Sequence, residues 1–176
     1  MASTKNYSPA HQSIKNSRAV IDWFKDLTEK NRCTFLQFDI ENFYPSISVE
    51  LFNNAIDFAK QHVAISDSDL AIIAQARRTI LFHNNEPWIK QSRDEDFDVP
   101  MGSFDGAEVC ELVGTYMLSQ ITTVIRSSDI GLYRDDGLGV MKRLGKPEIE
   151  RKKKRIIQIF KDNGLKVIVQ AHLRSA

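Results

Sequence analysis

The chain has 176 residues, 42% hydrophobic and 27% charged, an ordinary globular composition that argues against a disordered chain. Its formal net charge is +1, so no global field steers it to nucleic acid or a membrane surface, and any basic surface is local. Cys33 and Cys110 stand far apart, with no CxxC spacing and no paired histidine; this argues against a thiolate metal site or a disulfide framework and reads them as small buried hydrophobes.

Residues 1–16 read as a polar lead-in without an apolar signal segment. No apolar run reaches membrane-spanning length, so the expected setting is intracellular and reducing, with no membrane partner. Val20, Ile21, Phe24 and Leu27 have helical spacing within 17–31. Residues 33–40 (CTFLQFDI) form a short apolar strand that ends near Asp39. Ser48 is placed to cap a helix, and a second helix begins near residue 66. Two short strands surround Asn84-Asn85, followed by the charged loop QSRDEDFD. A turn-rich bend, VPMGSFDG, leads into a strongly apolar helix from residue 107, with Asp105 as its expected N-cap.

The segments IGLYR and LGVMK read as a hairpin, with Asp136-Gly137 as the turn signal. Pro147 suits the first turn of a helix carrying Ile149, Ile156, Ile157 and Phe160 inward and stopping at Gly164. Its basic run, residues 151–155, reads as a solvated face. Leu165, Val167 and Val169 alternate in a last strand. Strand, helices, hairpin, helix, strand is the order of an α+β, ferredoxin-like split βαβ fold, an antiparallel sheet with helices on one face. That topology sets Asp39 beside the hairpin carrying Asp135 and Asp136. Three clustered carboxylates repel one another unless divalent cations join them. Mg²⁺ accepts such hard oxygen ligands, and two such ions serve an in-line phosphoryl displacement. The competing reading is a solvated turn, where Asp-Gly is common for backbone reasons alone.

FDIENFYPSI resembles motif A of reverse transcriptases, LYRDDGLGV resembles their YxDD box, VPMGSFDGAEVCELV resembles motif B, and IIQIFKDNGLKV resembles the motif D helix and strand. The resemblance covers roughly residues 30–170 and points to a eukaryotic retroelement. It implies a polymerase palm with partial fingers over 31–170, behind a lead-in and helix over 1–30. A tail over 171–176 would stop short of the primer grip and thumb. The implied reaction is RNA-directed DNA synthesis on an RNA template and DNA primer with deoxynucleoside triphosphates.

In that resemblance Asp39, Asp135 and Asp136 are the catalytic carboxylates. They hold two Mg²⁺ ions, for which Mn²⁺ can substitute, together with the backbone carbonyl of Ile40. Tyr44 stands at the steric-gate position that excludes a ribose 2′-hydroxyl, with Phe43 beside it. Gly102 and Ser103 border the nucleotide and the templating base. Tyr133 and Arg134 flank the carboxylates, and Lys166 stands where motif D sometimes supplies a general acid. Pro100-Met101-Gly102 departs from the Pro-Gln-Gly common in motif B, removing a glutamine contact to the template. Two alternatives stay open: an incomplete palm remnant that binds nucleic acid or a partner, and an RNA-dependent RNA polymerase, against which Tyr44 argues.

Overall fold

The computed structural model describes residues 17–78, 81–88 and 96–173; the lead-in 1–16, residues 91–95 of the charged loop and residues 174–176 of the tail lie outside them. Helix α1 (Ser17–Asp26) stops five residues short of the span its spacing predicts. Glu29 adopts a left-handed conformation (φ 52°), held by Arg143 Nε at 3.0 Å, and turns the chain through a 3₁₀ turn, Lys30–Arg32, into the first strand.

Strand β1 (Cys33–Ile40) points Leu36, Phe38 and Ile40 into the core and exposes Gln37 and Asp39 on its other face. A single helical turn, α2 (Phe43–Ser46), precedes α3 (Val49–Lys60), whose first turn is capped as expected, with Leu51 N–H donating to Ser48 Oγ at 3.1 Å. Helix α4 (Asp67–Ala76) is capped by Ser66 in the same way. Strands β2 (Leu81–His83) and β3 (Glu86–Trp88) pair around left-handed Asn84 and Asn85, the backbone a two-residue hairpin turn demands. Then come α5 (Gly106–Ile121), β4 (Ile130–Tyr133), β5 (Asp136–Lys142), α6 (Lys146–Asp162) and β6 (Val167–Leu173).

Four strands form one antiparallel sheet in the order β4-β5-β1-β6, the order of the split βαβ pattern. Helices α5 and α6 cover its inner face, with Val113, Met117 and Ile121 of α5 and Ile156 and Phe160 of α6 fully buried. The stripe on α6 runs through Ile149, Ile156, Ile159 and Phe160; Ile157, expected inward, is exposed because it sits about 100° round the helix from Ile156. The helices are not confined to one face as expected. Trp23 and Leu27, on and after α1, pack on Cys33, Phe35 and Val140 and cover the far end of the outer face. The outer face stays open at the Asp39 end.

The hairpin corrects a second expectation. Tyr133 pairs with Asp136, so the two-residue loop is Arg134-Asp135 and not Asp136-Gly137. Packing decides this register. Phe38 pairs with Gly137 and Leu36 with Gly139, so these two core side chains of β1 each meet a glycine of β5. Arg134 then adopts the left-handed conformation (φ 55°) that such loops normally give to Gly or Asn. For Arg this is strained by roughly 1 kcal/mol, the kind of strain that concentrates at functional sites.

Candidate active site

Asp39 and Asp136 are direct cross-strand partners. Ile40 N–H donates to the Asp135 carbonyl at 3.0 Å, which makes Asp39 and Asp136 a non-hydrogen-bonded pair. Cα atoms in such pairs approach to about 4.5 Å, and side chains are at their closest. Like charges in that position destabilise a sheet, and an ordinary fold avoids them. Asp135 lies in the adjoining loop. Tyr133, Asp136, Asp39 and Ile168 form one row across the open face. The topology therefore brings the three predicted carboxylates to one end of one sheet face.

Burial, then the nearby charges of Asp135 and Asp39, hold the Asp136 carboxyl above the usual carboxylate range. The donor set is all hard oxygen and fits divalent magnesium or manganese. Among the described residues, no three His, Cys, Asp or Glu side chains stand close enough to hold a metal ion between them, so Asp39, Asp135 and Asp136 adjoin without forming a ready-made site. An open edge of adjoining carboxylates suits Mg²⁺, which keeps its waters and takes further oxygens from substrate phosphates.

A raised folded pKa means that ionised Asp136 destabilises the folded chain, and that this effect disappears once the group is protonated. Asp136→Asn is therefore expected to raise the thermal midpoint at pH 7 by about 1 °C, with the gain shrinking as pH falls through the carboxylate range. Melting curves of both proteins between pH 4 and 7 check this; an equal gain at both ends removes the electrostatic cause.

The other predicted residues separate. Tyr44 is half-buried, with its phenol near the Cys110 thiol on α5. Burial raises the phenol pKa and pushes the Cys110 thiol up to about 12, so both are neutral at pH 7. Gly106 leaves room for the Ser103 hydroxyl: a Cβ there would stand 2.5 Å from Ser103 Oγ and 3.1 Å from the Pro100 carbonyl oxygen, and in ordinary contact, at 3.6 Å, with Tyr44 Cε1. Phe43, expected to touch substrate, is buried in the core beneath the sheet's inner face, because α2 turns it inward when it turns Tyr44 outward. Ile40 is likewise a core side chain, so only its backbone can serve the site.

Gly102 is exposed with φ 90°, a conformation that only glycine adopts without strain. The Ser103 hydroxyl beside it is buried without a hydrogen-bond partner among the described residues. Tyr133 is exposed and Arg134 lies over its ring, 5.4 Å from the centroid. A cleft of about 370 Å³ opens beside this pair, walled by Cys110, Gly114 and Leu132; none of the three carboxylates lines it. Lys166 extends from the start of the last strand, and its ammonium donates to Glu41 at 2.6 Å. Asp105 occupies the N-cap position of α5, but its carboxylate makes no cap bond and pairs with Arg77. Neither Arg77 nor Glu41 carries a local sequence signal, since each meets its partner only through the fold.

No protein-family model matches the chain. No curated protein matches it either. Among solved structures it is similar to apo telomerase from Candida tropicalis truncated from its C-terminal domain, with a TM-score of 0.61 and 14% identity. The similarity covers 93% of this chain and 37% of the telomerase chain. The chain therefore shares its fold with part of the telomerase chain. The chain thus spans little more than a third of the telomerase chain it resembles in fold. At 14% identity the likeness concerns fold, and the chemistry has to be argued from the residues.

Proposed function

We propose that the chain is the palm, with part of the fingers, of an RNA-directed DNA polymerase of retroelement type. The observation that carries this reading is the direct pairing of Asp39 with Asp136, with Asp135 in the adjoining loop, on the open face of a reverse-transcriptase-like sheet. Asp39, Asp135, Asp136 and the Ile40 carbonyl would hold two Mg²⁺ ions, which when bound supply an activated primer hydroxyl and neutralise charge on the departing pyrophosphate.

The chain's own residues do the rest. The rigid sheet keeps the carboxylates together. The exposed Gly102, at the turn it shares with Ser103, lets backbone approach the base pair closely. The half-buried Tyr44 ring, beside Cys110 of α5, stands as the barrier to a ribose 2′-hydroxyl. Lys166, released from Glu41, can reach a leaving phosphate as a proton donor. RNA template, DNA primer and deoxynucleoside triphosphates are the partners this assigns.

The test is primer extension on an RNA template with Mg²⁺ or Mn²⁺, comparing deoxynucleotides with ribonucleotides. Extension with deoxynucleotides alone supports the reading; a folded protein that extends nothing in either metal counts against it. In the same assay Tyr44→Val is expected to raise ribonucleotide incorporation by about 10²-fold relative to deoxynucleotide incorporation. An unchanged ratio removes Tyr44 from the gate.

A further inference from the structure

Arg77, the first residue after α4, is 2% exposed. It holds the chain at two points. Its carbonyl accepts the Asp98 N–H at 2.9 Å, and its Nη2 donates to the Asp105 carboxylate. These two bonds close the segment 98–105 at both ends. Between them the backbone makes two successive turns, with Ser103 N–H donating to the Pro100 carbonyl at 3.1 Å and Gly106 N–H to the Ser103 carbonyl at 3.3 Å. Gly102 and Ser103 stand at the middle of the closed segment, and Tyr44 packs on its end at Gly106.

The arrangement is a poor one for stability. Arg77 Nε and Nη1 are buried without a partner among the described residues, and a buried charge so incompletely paired destabilises a fold that an apolar residue would serve as well. Asp105 also leaves α5 uncapped in order to meet Arg77. What the pair does achieve is geometric: one side chain and its own carbonyl fix the loop that faces Tyr44.

We propose that Arg77 is a positioning residue for nucleotide selection, acting as a clasp that sets the Gly102-Ser103 turn against the Tyr44 ring. This rests on the polymerase reading and deepens it. Lysine keeps the charge but is shorter and lacks the Nη2 that meets Asp105, so Arg77→Lys opens the clasp at that end without deleting the cation. Asp105→Asn opens it from the half-exposed side, where misfolding is less of a danger.

In the full chain, both variants are expected to raise the deoxynucleotide KM about tenfold with kcat changed less, and to lower discrimination against ribonucleotides. The double variant should be no worse than either single one, since both break one contact. Amide hydrogen exchange over residues 98–106 should quicken about tenfold while strands β1 and β5 keep their protection. Unchanged exchange in that segment overturns the clasp. Equal loosening of the sheet, or a fall in kcat with KM unchanged, overturns the positioning role. A wild-type protein that extends no primer removes the polymerase reading and the nucleotide role with it, whereas the exchange result still decides whether Arg77 holds the turn.

Discussion

Asp135→Asn is expected to leave a folded protein whose primer extension falls by at least about 10³-fold. The structural part of this expectation rests on where Asp135 sits. Its side chain is exposed in the two-residue loop, and its contribution to the sheet is the backbone carbonyl that accepts the Ile40 N–H at 3.0 Å. Asparagine keeps that carbonyl and tolerates turn backbone well. What it loses is a negative charge beside Asp39 and Asp136, and a cation held by three carboxylates is weakened when one becomes neutral. A 10³-fold loss corresponds to roughly 4 kcal/mol of barrier, a reasonable share for one ligand of a two-ion site. Three measurements check it: extension rates, a thermal melt, and the rise in melting temperature on adding Mn²⁺, which should shrink in the variant. Wild-type activity in a folded Asp135→Asn protein would remove Asp135 from the chemistry.

Gly137→Ala is expected to be the most damaging single-methyl change in the site. A Cβ at Gly137 would stand 1.9 Å from Phe38 Cζ and 2.0 Å from its Cε2, inside the ring's own volume. Phe38 has little freedom to retreat: it is 1% exposed and packs on Phe160 with ring centroids 5.7 Å apart. Overpacking of this kind costs about 3 kcal/mol, equivalent to a fall of about 6–12 °C in melting temperature for a chain of this size. Pairing the change with Phe38→Leu frees space over the strand and should recover a good part of the loss, a coupling that a double-mutant cycle measures directly. Additive losses in that cycle would mean that the ring and the glycine do not share the space.

Glycine 137 also illustrates what local reading misjudges. Asp136-Gly137 between two apolar runs is a strong turn signal, yet both residues lie in β5. The glycine serves the core and not a turn, because Phe38 of a strand about a hundred residues earlier needs its missing side chain. The loop then falls on Arg134-Asp135, a pair that turn preference alone would not select. Phe43 was misjudged for a related reason. It adjoins Tyr44 in sequence, but one helical turn sends the two rings to different environments, one into the core and the other to the site.

The sequence by itself determined the features that depend on short-range pattern and on the identity of a few groups. Short apolar runs, a hairpin signal and one alternating stretch marked the four strands of the sheet, helical spacing marked its helices, a serine announced the start of α3, and three aspartates in two short stretches named the candidate chemistry. Only the tertiary structure decided that Asp39 faces Asp136 across one sheet and that the loop carries Asp135. It also decided that Cys110 lies beside Tyr44 and that Arg77 closes the segment around Gly102. Those facts depend on strand register and helix docking, which are set by how large and small side chains fill one shared core, and no local stretch of the chain contains that information.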